Sequence, residues 1–340
     1  MKHMRTVGLL VLLFFTLLFP IIFSNPAVTS MAVFTLLFAA AAIGWNLFSG
    51  YTGYFSLGYA TFYGLGAYTL ALLCKYWNIQ GGYIPFALLP LGGIVAAIFA
   101  VPLGWITLRV RRQTFVVVTL AMMFTFQMLA YNLRSITSGS TGMLLPFVPW
   151  SMDVLNLPFY YVSLAILLFA LAVSWGIRYS KYGLGLLAIR DDEDRVLGLG
   201  VNTGAYKLGA FVIAAFFAGM VGGMIVYFTG AVAPAVAFDP IFDVVVALMC
   251  VMGGVGTVSG PLIGALVLEP LQQYITLQAG SIGPGLDLLI FGGLLLIIIL
   301  FLPEGVVPSL RRLWLTRKAL RTGAMSVNRP EVKEGSPVGR

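Results

Sequence analysis

Residues 178–207, RYSKYGLGLLAIRDDEDRVLGLGVNTGAYK, stand between long runs with almost no charge. The stretch holds Arg178, Lys181, Arg190, Arg195 and Lys207 beside the acidic run Asp191, Asp192, Glu193 and Asp194. Nothing else between Met1 and the C-terminal tail is so polar. If the flanking runs lie in lipid, this stretch is the largest surface they present to one aqueous side. Composition leaves two readings open: a solvated connection anchoring two helices, and a docking element for a soluble partner.

The flanking runs do call for lipid. The 340-residue chain is 60% hydrophobic and 9% charged, where soluble domains carry roughly 25% charged residues. From Thr6 to Cys74 there is no Asp, Glu, Lys or Arg. At about 20 apolar residues per crossing, that run alone suffices for three helices. A charge at mid-bilayer costs roughly 2.5–3.5 kcal/mol on insertion scales, so its absence is informative. Runs such as Leu286–Phe301 lack the apolar–polar alternation of a barrel strand. The fold class is therefore an all-α polytopic membrane protein of about ten transmembrane helices, some short or broken. The expected spans are 7–23, 28–49, 55–74, 84–107, 114–133, 158–177, 208–229, 241–254, 260–276 and 286–302. The eighth and ninth flank the glycine-rich run 253–261 and read either as full helices with a tight turn or as two broken pieces.

Charge supports this count. With the N-terminus inside, 18 of the 20 Lys and Arg residues fall on inside segments, leaving Lys75 and Arg134 outside. Both termini are then cytoplasmic. The net charge of +8 follows from this topology and does not call for nucleic acid. Met1–Phe23 has the basic start and apolar core of a signal peptide. Its long apolar run, with no small-x-small site after it, favours an uncleaved first helix. Residues 1–305 form the transmembrane domain, and 306–340 a basic cytoplasmic tail, largely disordered. Ser135–Met143 reads as an outside loop able to meet an extracytoplasmic partner.

The sequence offers little for catalysis. There is no GxxxxGK[ST] run for ATP. One histidine, His3, and two cysteines in apolar stretches, Cys74 and Cys250, provide no metal cluster and no nucleophile–base pair. The expectation is no catalytic residue, no metal and no cofactor.

Three polar features fall within apolar regions. Gly50, Gly53, Ser56 and Gly58 interrupt such a region without any charge. They read either as a broken helix at membrane depth, of the kind transporters place around substrate, or as a turn at the surface. Glu269, followed by Pro270, reads either as a pathway carboxylate or as a solvated group near the outer interface. Asp239, Asp243 and Asp287 stand at expected helix starts, where a carboxylate favours the helix dipole. Small residues recur at helical spacing through 208–229, a pattern that lets membrane helices approach closely.

Five motifs in order resemble the membrane subunits of ABC importers for branched-chain amino acids. Gly50–Thr69 (GYTGYFSLGYATFYGLGAYT) looks like a glycine-rich signature of that family and Leu108–Ala121 (LRVRRQTFVVVTLA) like the next. Ser180–Gly200 resembles the family's cytoplasmic loop, with Ser180, Gly183, Ala188, Ile189, Arg190, Asp192, Glu193 and Gly200 at matching positions. Lys207–Gly223 and Gly253–Ala265 also match. The resemblance covers roughly 30–305. The long N-terminus and the arginines at 109–112 suggest the larger of two paired permeases.

The resemblance implies a bacterial inner-membrane permease working with a second homologous permease, two P-loop ATPase subunits and a periplasmic substrate-binding protein. ATP hydrolysis is then the partners' work, and 178–207 is the coupling loop, with a short helix over Ala188–Gly200 lying in a groove of the ATPase. Arg190→Glu or Glu193→Lys is expected to weaken that association while leaving the chain inserted. The chain departs from the family pattern at Arg195 and Val196, where two small residues are usual, and at Leu184, where an arginine is common. A urea or short-amide permease of the same family is an alternative. A third reading is an ion-coupled secondary transporter with Glu269 as its proton site.

Overall fold

The computed structural model describes residues 16–23, 25–146, 148–150, 156–279, 290 and 292–293. Most of the expected first and tenth spans, Asp287 and the tail 306–340 lie outside them.

Helix α1, Pro26–Trp45, starts at Asn25, whose side chain accepts a hydrogen bond from the Ala27 amide. It runs directly into a π-helical turn, Asn46–Gly50. After a non-helical stretch come α2 (Tyr59–Tyr76), α3 (Ile84–Thr107) and α4 (Arg112–Asn132). A short helix α5 (Arg134–Thr137), a 3-10 turn (Gly139–Thr141) and strand β1 (Met143–Leu144) follow. Then come α6 (Asn156–Arg178), α7 (Lys181–Asp191), α8 (Glu193–Gly198) and α9 (Thr203–Thr229). Strand β2 (Ala231–Val232), α10 (Pro234–Ala237), α11 (Pro240–Gly253) and α12 (Gly260–Ala279) complete the described chain.

Six helical segments among the described residues are long and apolar enough to cross a membrane: Pro26–Gly50, Ile84–Thr107, Arg112–Asn132, Asn156–Arg178, Thr203–Thr229 and Pro234–Gly253. Helix α2, expected as a full span, and α12, left open between a full helix and a broken piece, are not among them. The reason for α2 is its place: it packs between α3 and α9 and is mostly buried. A helix shielded from lipid by its neighbours needs no continuous apolar surface.

Helix α9 is the central post. It packs along α2, α3 and α1. Ala210, Ala214, Ala218 and Gly222, and the adjacent line Ala215, Gly219 and Gly223, are all buried within the subunit. The contact is backbone to backbone: a Cβ on Gly222 would overlap the Tyr63 carbonyl, and one on Gly66 would overlap Gly219. The small-residue pattern is thus a packing seam.

Two long helices sort the polar segments to opposite ends. At one end, Arg112 at the start of α4 donates to carbonyls of α7. At the other, β1 pairs antiparallel with β2, Met143 opposite Val232 and Leu144 opposite Ala231. Residues 109–112 therefore share an end with the 178–207 stretch, as the charge pattern requires. The polar run 135–143, expected as a loop, instead folds into α5, the 3-10 turn and the start of β1. Two-residue strands are too short to show an alternating pattern in sequence.

Candidate functional site

Between Gly50 and α2 the chain leaves the helix, and its buried backbone groups need partners. The Trp45 indole donates to the Ser56 carbonyl at 3.0 Å. The Leu57 amide donates to Thr119 Oγ1 at 3.2 Å, and the Ser56 amide to Ser49 Oγ at 3.3 Å. Thr52 donates to the Phe48 carbonyl and accepts from the Tyr54 amide. Gly50, Thr52, Ser56 and Gly58 are buried. This is a buried break in the helix rather than a surface turn.

The break ends at an unusual cap. Gly58, the N-cap of α2, has no side chain to offer. Asp243, fully buried on α11, accepts from the Ala60 amide at 2.7 Å in its place. Asp243 was expected to serve its own helix. Asp239 fills that role, accepting from the Ile241 amide at 2.9 Å. This leaves the Asp243 carboxylate free to reach across to α2.

The 178–207 stretch is two helices, not the single one expected over Ala188–Gly200. Ser180 caps α7 by accepting from the Gly183 amide at 3.1 Å. The chain becomes extended at Asp192 (φ −157°, ψ 100°), which caps α8 by accepting from the Arg195 amide at 3.1 Å. Asp192 also pairs with Arg195 at 2.7 Å. The order Asp-Glu-Asp-Arg places a capping carboxylate before a helix with acids in its first turn, which favours a fresh start. Ile189 and Gly183 are buried, whereas Ala188 and Gly200 are exposed.

Two of the charges in this stretch turn inward and clasp the break. Arg190 Nη1 donates to the Gly50 carbonyl at 2.8 Å and reaches the Val255 carbonyl at 3.5 Å. From the same π turn, Asn46 donates to the Thr257 carbonyl at 2.9 Å and accepts from the Gly256 amide at 2.8 Å. Only glycine fits at 256: φ is +79°, and a Cβ would occupy the Arg190 guanidinium. Glu193 accepts from the Tyr54 hydroxyl at 2.7 Å, from Lys207 at 2.5 Å and from Thr203 at 3.2 Å. Lys207 also donates to the Tyr54 hydroxyl at 3.1 Å and lies 4.4 Å from the centre of its ring. Arg112 closes the cluster by donating to the carbonyls of Ile189 at 2.5 Å and Arg190 at 2.9 Å.

The electrostatics follow from these contacts. Burial pushes the Glu193 carboxyl up, but the bonds from Lys207, Tyr54 and Thr203 together hold it below its ordinary value. Burial and the Glu193 carboxylate push the Tyr54 phenol up, so it stays protonated and donates.

The structure thus joins candidates that looked separate. Gly50 and Gly53 meet Arg190, while Gly58 backs onto Thr119 at the far side of the break and Ser56 bonds to Trp45 and Ser49. Glu269 belongs to neither group. It is 1% exposed, which rules out the solvated interfacial reading, and Gln273 on its own helix donates to it at 3.0 Å. Arg190 and Glu193, expected as charges for a partner, are engaged within the subunit. Asn46, Tyr54, Arg112 and Lys207 are not among the site residues expected from sequence, where Arg112 and Lys207 stand only as charges of their stretches. Two of them carried a signal: a base within the first two turns of α4 or α9 opposes the helix dipole, which implies a specific partner.

The outer side of α7 and α8 is different. Leu184 and Leu197 are exposed, and Leu199, just past α8, is 82% exposed. A cleft of about 630 Å³ opens between the 108–113 turn and α8, lined among others by Arg109, Arg111, Asp191 and Asp194.

Comparison with known proteins agrees with this architecture. Residues 27–299 match the family described as "Branched-chain amino acid transport system / permease component". The chain is 27% identical over 329 residues to the high-affinity branched-chain amino acid transport system permease protein LivM of Salmonella typhimurium, spanning 89% of this chain and 75% of that one. LivM of Escherichia coli K12 gives the same figures. The permease protein LivH of Salmonella typhimurium is 25% identical over 287 residues, 79% of this chain and 91% of that one. No solved structure matches the chain. With the family match running from the start of α1 to beyond α12, the chain belongs to the permease components of branched-chain amino acid transport systems.

Proposed function

We propose that this chain is the larger membrane-spanning permease of an ATP-driven importer, moving branched-chain amino acids that a periplasmic binding protein delivers. A permease of this family with several apolar helices is a multi-pass protein of the bacterial inner membrane. The single observation that carries the mechanistic reading is the clasp. A charged two-helix stretch at one end of the bundle is bonded to a buried helix break, through Arg190 to Gly50 and through Glu193 to Tyr54. Such a linkage suits a machine whose power is generated outside the membrane and used within it.

In this reading, residues 178–207 dock on P-loop ATPase subunits through their exposed side, with Leu184, Ala188, Leu197 and Leu199 as the contact. Arg190 and Glu193 hold the docked helices to the permease core. Residues 1–305 form the permease domain with about ten crossings and both termini cytoplasmic, and 306–340 form a basic tail. A second, homologous permease completes the pathway, as the presence of both LivM and LivH among the relatives suggests. The break at Gly50–Gly58 is the element that moves during transport.

Uptake of radiolabelled leucine by cells lacking the chain, with and without the gene restored, tests the reading. The expected result is uptake that returns with the gene, fails on ATP depletion, resists an ionophore, and is competed by isoleucine and valine but not by urea or acetamide. Uptake abolished by the ionophore at normal ATP levels, or competed only by amides, overturns it.

A further inference from the structure

Gly53 has φ +74° and sits in the middle of the grip that α7 and α8 exert on the helix break. On its N-terminal side the Gly50 carbonyl receives Arg190, and on its C-terminal side Tyr54 is held by Glu193. A Cβ on Gly53 would lie 3.1 Å from Arg190 Cγ, so the arginine stem runs alongside the turn. A residue free to change φ, with one flank held by α7 and the other by α8, is what a hinge needs.

The two grips differ in reach. Glu193 ties the break only to α8 and the start of α9. Arg190 also approaches the Val255 carbonyl in the α11–α12 turn. Asn46 bonds that turn to the π turn through Thr257 and Gly256. The π turn and the α11–α12 turn therefore form one body, with Arg190 as the strut entering it from α7. The Gly50 carbonyl closes a π-helical turn, where it lacks a helical donor and favours a cation. A guanidinium can serve two carbonyls at once, which an ammonium does less well.

We propose that Arg190 is the positioning residue that transmits displacement of α7 and α8 into the membrane, turning the break about Gly53. The proposal rests on the reading of 178–207 as the ATPase-coupling stretch. It assigns Arg190 to transmission and the exposed leucines to docking, so the two roles separate experimentally.

The reporter is a Phe55→Cys substitution, within the break and 38% exposed in the native chain. The complete complex, with its ATPase subunits, is reconstituted in nanodiscs. The rate of reaction with a water-soluble maleimide is measured without nucleotide and after trapping with ATP and vanadate. With Arg190 present, the two rates are expected to differ by about fivefold or more. With Arg190→Gln the difference is expected to vanish while the ATPase subunits still co-purify. Arg190→Lys, which keeps the charge but not the fork, is expected to fall between.

A full nucleotide-dependent change in Arg190→Gln overturns the proposal. Loss of the ATPase subunits from both the Gln and Lys variants also overturns it, because Arg190 then belongs to the docking surface. If only the Gln variant fails to assemble, the Lys variant decides, and an unreduced change there overturns the proposal. No nucleotide-dependent change with Arg190 intact overturns the coupling reading as well, so the two failures are distinguishable.

Discussion

Lys207 carries a cation that is 5% exposed, in the second turn of α9, with Glu193 as its counter-charge. A buried pair is weak evidence for stability as a whole, but removing one partner strands the other. Lys207→Met is expected to destabilise the detergent-solubilised protein by about 3 kcal/mol, and the double variant Glu193→Gln/Lys207→Met is expected to recover part of that. Thermal melts of the three forms check this. The pH dependence has a definite sign. The folded Glu193 carboxyl lies below its ordinary value of 4.5, so its contribution is present above that pH and is lost as pH falls through the lower folded value. The melting-temperature advantage of the native chain over Glu193→Gln should therefore hold at pH 7 and shrink once pH drops below the ordinary range. Asp243 gives a second residue-level expectation. Asp243→Ala removes the side-chain acceptor of the Ala60 amide in the first turn of α2, a loss of about 1–2 kcal/mol for a cap. Asp243→Asn retains an oxygen there and should lose less. Equal melting temperatures for both variants would contradict the cap.

At the scale of elements, the seam between α9 and its neighbours depends on missing side chains. Gly222→Ala places a methyl against the Tyr63 backbone, where no side chain can give way. It is expected to destabilise by about 1–3 kcal/mol. Gly176→Ala, on α6 with open space around it, is expected to be neutral or slightly stabilising. Size-exclusion profiles and melts of the two variants compare the same chemical change at a packed and an open site. The seam was legible in sequence because the small residues recur at helical spacing. The break at Gly50–Gly58 was legible as an anomaly but not in its depth. Its partners, Thr119, Asp243 and Arg190, come from three other elements, and no local pattern records such contacts. The division of 178–207 into α7 and α8 is written in Asp192, a cap signal that the surrounding run of acids masks.

For the molecule as a whole, hydropathy and charge carried the fold class, a helical membrane protein, because lipid penalises each misplaced charge independently of tertiary contacts. What they could not carry was the direction in which a charged side chain points. Arg190 and Glu193 share their stretch with Leu184 and Leu199, yet the charges face the core and the leucines face water. The topology also makes an end-specific prediction. Leu199→Cys and Leu144→Cys, both highly exposed, should react with a membrane-impermeant thiol reagent from opposite sides: Leu144→Cys in intact spheroplasts, Leu199→Cys only after lysis. Labelling of both from one side would contradict the arrangement of α4 and α9.

The most direct test of the central claim, that the exposed side of α7 and α8 docks on ATPase subunits while their charges hold the permease core, is a mild-detergent purification from native membranes. The tagged native chain and its Leu199→Asp variant are compared, with partners identified by mass spectrometry. The native chain should recover P-loop ATPases and a second permease, and the variant should keep the second permease while losing the ATPases. Undiminished ATPase recovery with Leu199→Asp, or a native chain that recovers neither partner in a detergent known to preserve such complexes, would contradict the account.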